Sequence, residues 1–70
     1  MRYREVTQKL CALGCIELRR TGGGSHRKWN NPLQNRSTVI PDHGAKDLKL
    51  GTLKAIVRQL GLDWDEFVQA

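Results

Sequence analysis

The sequence has no run of apolar residues approaching the ~20 needed to span a bilayer. Its first residues, Met1 to Glu5, are polar and charged, and no apolar stretch with a cleavage site follows them. Neither a membrane span nor a secretory signal is expected, so the protein is expected in the cytoplasm. Cysteine is scarce: there are two, Cys11 and Cys15, and in a reducing compartment both are expected as thiols. Length is short as well. Seventy residues make one domain, spanning 1–70, with a marginal core and no room for a deep, walled cleft. Chemistry on such a chain belongs on an open face and acts on a large substrate.

Acidic residues are missing from one stretch altogether. From Arg19 to Arg36 the charged residues are Arg19, Arg20, Arg27, Lys28 and Arg36, all cationic. From Gln59 to Ala70 the pattern reverses, with Asp63, Asp65 and Glu66 and no base. Over the whole chain 12 basic residues face 7 acidic ones, a net charge of +5. The isoelectric point is near 9.8. Such a balance favours a polyanionic partner, and the clustering says which part of the chain meets it.

Hydrophobic spacing predicts the elements. Tyr3, Val6, Leu10 and Leu13 recur at threes and fours, which predicts a helix over Arg4 to Leu13 ended by Gly14. The residue types expected at a helix N-cap are missing before it. Cys15 to Arg20 reads as a strand, with Ile16 and Leu18 on one face and Glu17 and Arg19 on the other. Thr21 to Gly24, with three successive glycines, must be a turn. A second strand is expected over Ser25 to Asn30, with His26 and Lys28 on one face and Arg27 and Trp29 on the other. Asn31 to Arg36 is a loop. Ser37 to Ile40 is a short β-branched strand stopped by Pro41. Asp42 to Leu50 is polar and irregular. Leu53, Ile56, Val57 and Leu60 mark a helix over Thr52 to Leu60, closed by Gly61. Asp63 and Glu66 form a capping-box pattern that starts a last short helix, with Leu62 and Phe67 as a hydrophobic staple. The expected fold is α+β: helix, three strands, helix and a short C-terminal helix. Turns of hairpin length make the sheet antiparallel, and the apolar stripes of the helices must cover one of its faces.

The motifs are Gly24-Ser25-His26, Pro41-Asp42-His43-Gly44, Lys49-Leu50-Gly51-Thr52-Leu53-Lys54-Ala55-Ile56, Arg58-Gln59-Leu60-Gly61-Leu62 and Asp65-Glu66-Phe67. In this order and over nearly the whole length, they resemble the HicA family of toxins, the messenger-RNA interferases of bacterial and archaeal toxin–antitoxin pairs. The resemblance implies a fold like the double-stranded-RNA-binding domain. It implies that His26, the histidine of Gly-Ser-His, is catalytic, and that a HicB antitoxin is the partner. Two departures stand out: the glycine turn is longer than the usual pattern, and Leu50 takes the place of a frequent proline.

Chemistry fits those implications. RNA carries its own nucleophile, the 2′-hydroxyl. Cleavage needs a base for that proton, an acid for the leaving 5′-oxygen and positive charge beside the phosphate. A histidine transfers protons at neutral pH, so His26 is expected to serve as the base or the acid. Neither cofactor nor metal is called for. Gly24 and its neighbours would let a phosphate approach main-chain N–H groups closely, and Ser25 would orient the substrate. Lys28 shares the face of His26, and Arg19, Arg20 and Arg27 would hold flanking phosphates. His43 would act as a second acid or a phosphate contact. Lys46, Lys49 and Lys54 gather around the start of the second long helix as further RNA contacts. Trp29, alternating with His26 and Lys28, is expected in the core.

Three other readings compete, the weakest a structural binding protein that uses the acidic tail and helices purely for assembly. A non-catalytic RNA-binding module of the same fold would leave His26 incidental. A zinc module would use Cys11, Cys15, His26 and His43, but these lie on separate elements.

Overall fold

The computed structural model describes residues 1–18 and 25–70. The expected turn from Thr21 to Gly24 and the strand end at Arg19 and Arg20 lie outside the described residues. The element order is α1 (Tyr3–Ala12), β1 (Ile16–Glu17), β2 (His26–Asn31), β3 (Arg36–Pro41), α2 (Leu50–Gln59) and α3 (Trp64–Gln69). The three strands form one sheet in the order β1-β2-β3, with both pairs antiparallel. The fold is therefore α+β, in the predicted order.

Helix α1 begins without the usual Ser, Thr, Asp or Asn cap. Its cap comes from the other direction: the Glu5 carboxylate reaches back and accepts from the Arg2 main-chain N–H at 3.1 Å. The helix ends where Gly14 adopts φ +89°, and the N–H of Cys15 bonds back to the carbonyl of Leu10 at 2.9 Å. Helix α2 starts at Leu50, two residues ahead of the predicted Thr52. Helix α3 is capped as its sequence predicts, with the Asp63 carboxylate accepting from the Glu66 N–H at 3.2 Å.

The core forms between the sheet and the helices. Val6 and Leu10 enter from α1, Trp29 and Ile40 from the sheet, Leu53, Ile56 and Val57 from α2, and Phe67 from α3, all buried. Register explains which strand residues take part. Trp29 lies opposite Thr38 and Arg27 opposite Ile40, whereas His26 lies opposite Pro41 and Lys28 opposite Val39. The first set faces the helices and the second faces away. Strand β3 includes Pro41 as its last paired residue rather than stopping short of it. That is tolerated because β3 is an edge strand.

Strand β1 keeps the expected alternation, with Ile16 and Glu17 on opposite faces. Ile16 is half exposed and lies opposite Asn30, on the open side of the sheet, while Glu17 lies opposite Trp29 on the helix side. The apolar residue faces outward and the acid inward because Glu17 finds a charged partner there, described below. No helix among the described residues is long and apolar enough to cross a membrane.

Candidate active site

His26 opens the central strand of the sheet, on the face away from the helices, and is exposed. Lys28, two residues along the same strand and also exposed, shares that face. Ser25 sits just before the strand, and its carbonyl accepts from the Asp42 N–H at 2.6 Å. That bond continues the β2–β3 pairing past His26 and brings the segment holding His43 to the same end of the sheet. His43 is exposed. The chain turns immediately afterwards, where Gly44 adopts φ +65° and its N–H donates to Asp42 Oδ1 at 3.1 Å. The Lys46 N–H bonds the His43 carbonyl at 3.4 Å, so Lys46 folds back over the same turn.

The direction of α2 brings in one more cation. Its C-terminal carbonyl, that of Leu60, accepts from Asn31 Nδ2 at 2.7 Å, at the far end of β2 from His26. Helix α2 therefore starts near the His26 end, and its N-cap is Lys49, which is exposed. Ser25, His26 and the turn carrying His43 and Lys46 thus meet at one end of the sheet, with Lys28 two residues along β2 and Lys49 in the helix layer. Lys54 is not part of this group. Its ammonium lies 5.6 Å from the centre of the Trp64 ring on α3, a cation–π contact. Arg19, Arg20 and Gly24 lie outside the described residues.

Arg27 lies apart from these residues, in an ion network. It belongs to the helix side of the sheet, where its Nε donates to Asp42 Oδ2 at 3.0 Å and its Nη1 to Glu17 Oε2 at 3.3 Å. Its guanidinium carbon stands 5.6 Å from the centre of the Tyr3 ring. The hydrogen bond to Glu17 is the largest influence holding the guanidinium pKa above its ordinary value. The sequence signal was present, since alternation put Arg27 with Trp29. Of the two carboxylates that meet it, Glu17 comes from β1 and Asp42 from the residue after β3.

Behind this ion network the Tyr3 hydroxyl accepts from Trp29 Nε1 at 3.1 Å, and Trp29 is buried as expected. Burial raises the Tyr3 pKa above the ordinary phenol value, against the opposing effect of the Trp29 hydrogen bond. The site itself is open. Two cavities, of about 310 and 280 Å³, are lined by residues of the helices and of the loop after β2, and neither includes His26 or His43. Among the described residues no three His, Cys, Asp or Glu side chains gather into a set able to hold a metal. Cys15 in particular is buried in the core.

An exposed histidine and lysine on one face of a small basic α+β domain suit contact with an extended anionic chain. The family follows from comparison. Residues 3–62 match the family model described as the HicA toxin of bacterial toxin–antitoxin systems, and the chain belongs to that family. A relative in Pseudomonas fluorescens (strain Pf0-1), named probable mRNA interferase HicA, is 50% identical over 62 residues, covering 89% of this chain and 97% of its own. No solved structure matches the chain significantly.

Proposed function

We propose that the protein is the toxin of a toxin–antitoxin pair and an endoribonuclease that cuts messenger RNA, with His26 as a catalytic residue. The observation that carries this reading is the position of His26. It is exposed at the mouth of the central strand, beside Lys28, in a chain whose 50%-identical relative is named an mRNA interferase. His26 takes the 2′-hydroxyl proton or gives one to the leaving 5′-oxygen, and a positioned group of this kind contributes roughly 10²–10⁴-fold. Lys28 stabilises the charge that builds on the phosphate. Ser25 orients the substrate. Lys46 and Lys49 hold neighbouring phosphates and set the register of the RNA strand. The glycines ending at Gly24 carry no side chains and so admit the phosphate backbone. The substrate and the toxin's target lie in the cytoplasm.

The partner that restrains it is a HicB-like antitoxin. Expression in bacterial cells tests the whole reading: the intact chain arrests growth, His26→Ala does not, and a co-expressed HicB-like protein from the adjacent reading frame relieves the arrest. Arrest by His26→Ala would favour the RNA-binding module without catalysis.

A further inference from the structure

We infer that His43 is the second proton-transfer group of this site and that the ion pair between Arg27 and Asp42 positions it; the inference rests on the ribonuclease reading above. Each member of the ion pair is the chain neighbour of a histidine. Arg27 follows His26, and Asp42 precedes His43. The bond from Arg27 Nε to Asp42 Oδ2, 3.0 Å long, therefore ties the two histidine-bearing segments together from behind the sheet.

The main chain of His43 is pinned on both sides. Before it, the Asp42 N–H is bonded to the Ser25 carbonyl at 2.6 Å. After it, the Gly44 N–H is bonded to Asp42 Oδ1 at 3.1 Å. The Asp42 carboxylate thus uses one oxygen on Arg27 and the other on the turn. Since Asp42 and main-chain groups hold this turn, the imidazole of His43 is not needed to hold it.

Register gives the proximity. His26 lies opposite Pro41, the last residue of β3. His43 follows two residues later, where the chain leaves the sheet, and both histidines are exposed. The Asp42 N–H bond to the Ser25 carbonyl keeps the segment before His43 beside the one before His26.

The step balances with two histidines. One imidazole takes the 2′-hydroxyl proton as O2′ forms its bond to phosphorus. The P–O5′ bond breaks, and the other imidazole, protonated, gives its proton to the departing 5′-oxygen. The products are a 2′,3′-cyclic phosphate and a 5′-hydroxyl end, with no net gain or loss of protons.

The test uses purified protein and two RNA oligonucleotides that differ only at the scissile site mapped with the intact chain. One carries the natural 5′-oxygen, the other a bridging 5′-sulfur that departs without being protonated. His26→Ala and His43→Ala are each expected to lose about 10²-fold or more in kcat on the natural RNA. On the sulfur substrate one of them regains most of its rate and the other does not. Asp42→Asn, which keeps a turn-forming oxygen and removes the charge, loses up to about 10²-fold in kcat with KM retained. It follows the leaving-group behaviour of His43→Ala, which a purely structural role for Asp42 would not produce. His43→Lys, a cation without a proton to exchange at neutral pH, stays impaired. Full activity of His43→Ala or His43→Lys overturns the inference, as does an identical response of the two histidine variants to the sulfur leaving group. Full activity of His26→Ala instead overturns the ribonuclease site proposed above.

Discussion

Trp29 Nε1 donates to the Tyr3 hydroxyl at 3.1 Å, joining the central strand to the first helix directly behind the face that carries His26. The same Tyr3 ring lies under the Arg27 guanidinium. The indole is buried, so removing its acceptor leaves an N–H without a partner. Tyr3→Phe keeps the ring under Arg27 and deletes only the oxygen. It is expected to lower unfolding free energy in urea by about 1–3 kcal/mol while leaving RNA cleavage within a few-fold of the intact protein.

Two groups set the response to alkali. Burial raises the Tyr3 hydroxyl above its ordinary 10.0. Burial first, and then the charge of Cys11, raises the Cys15 thiol above its ordinary 9.0. In both cases the folded state holds the proton more tightly than the unfolded chain. Their contributions are complete below the ordinary values and are lost as pH rises through the raised ones. Stability measured by urea unfolding is expected to fall from about pH 9 upward, and Tyr3→Phe to remove part of that fall. Thiol reagents separate the cysteines: Cys11, exposed, reacts promptly, and Cys15, buried, only as the protein opens.

Two glycines in and after α2 give opposite predictions. Gly61 adopts φ +70°, and a Cβ there would stand 3.1 Å from Arg36 Cδ and 3.2 Å from the Gln34 side chain. Gly61→Ala is expected to cost about 1–2 kcal/mol for the left-handed backbone alone. Gly51 lies within the first turn of α2, and a Cβ there meets nothing within 4 Å. Gly51→Ala is expected to raise stability by up to about 0.5–1 kcal/mol. Thermal unfolding of the two variants checks the pair.

Much of this architecture was legible in the sequence because its signals are local. The Val6 and Leu10 stripe, the Leu53, Ile56 and Val57 stripe, and the glycines at 14 and 61 each act within a turn or two of chain. Alternation likewise placed Trp29 inside and His26 outside. What was hidden depends on long-range pairing. Strand spacing says which residues share a face but not which face the helices cover, and β1 is only two residues long. Ile16 therefore faces outward while Glu17 turns in to meet Arg27. The role of Asp42 was equally hidden, because its partner is 15 residues away in the chain. The pairing of Arg27 was hidden too, since Glu17 comes from β1 and Asp42 from the residue after β3. For α1, the cap came from Glu5 and not from the residue preceding the helix.

The cations left at the His26 end carry a prediction about salt. Lys28, Lys46 and Lys49 are exposed. Removing one phosphate-binding cation reduces the slope of log affinity against log salt by about 0.7–0.9. Replacing Lys46 or Lys49 by Gln is expected to reduce the slope for a non-cleavable 2′-O-methyl RNA by about that amount. Arg27→Gln is expected to leave the slope unchanged, because its charge is spent on Glu17 and Asp42. Fluorescence anisotropy across a salt series reads both.

The most direct measurement is the rate at which purified His26→Ala cuts a messenger RNA transcript, set beside the intact protein, with circular dichroism confirming that both are folded. The account predicts a fall of about 10²-fold or more with an unchanged folded spectrum. Undiminished cutting by the folded variant would contradict it.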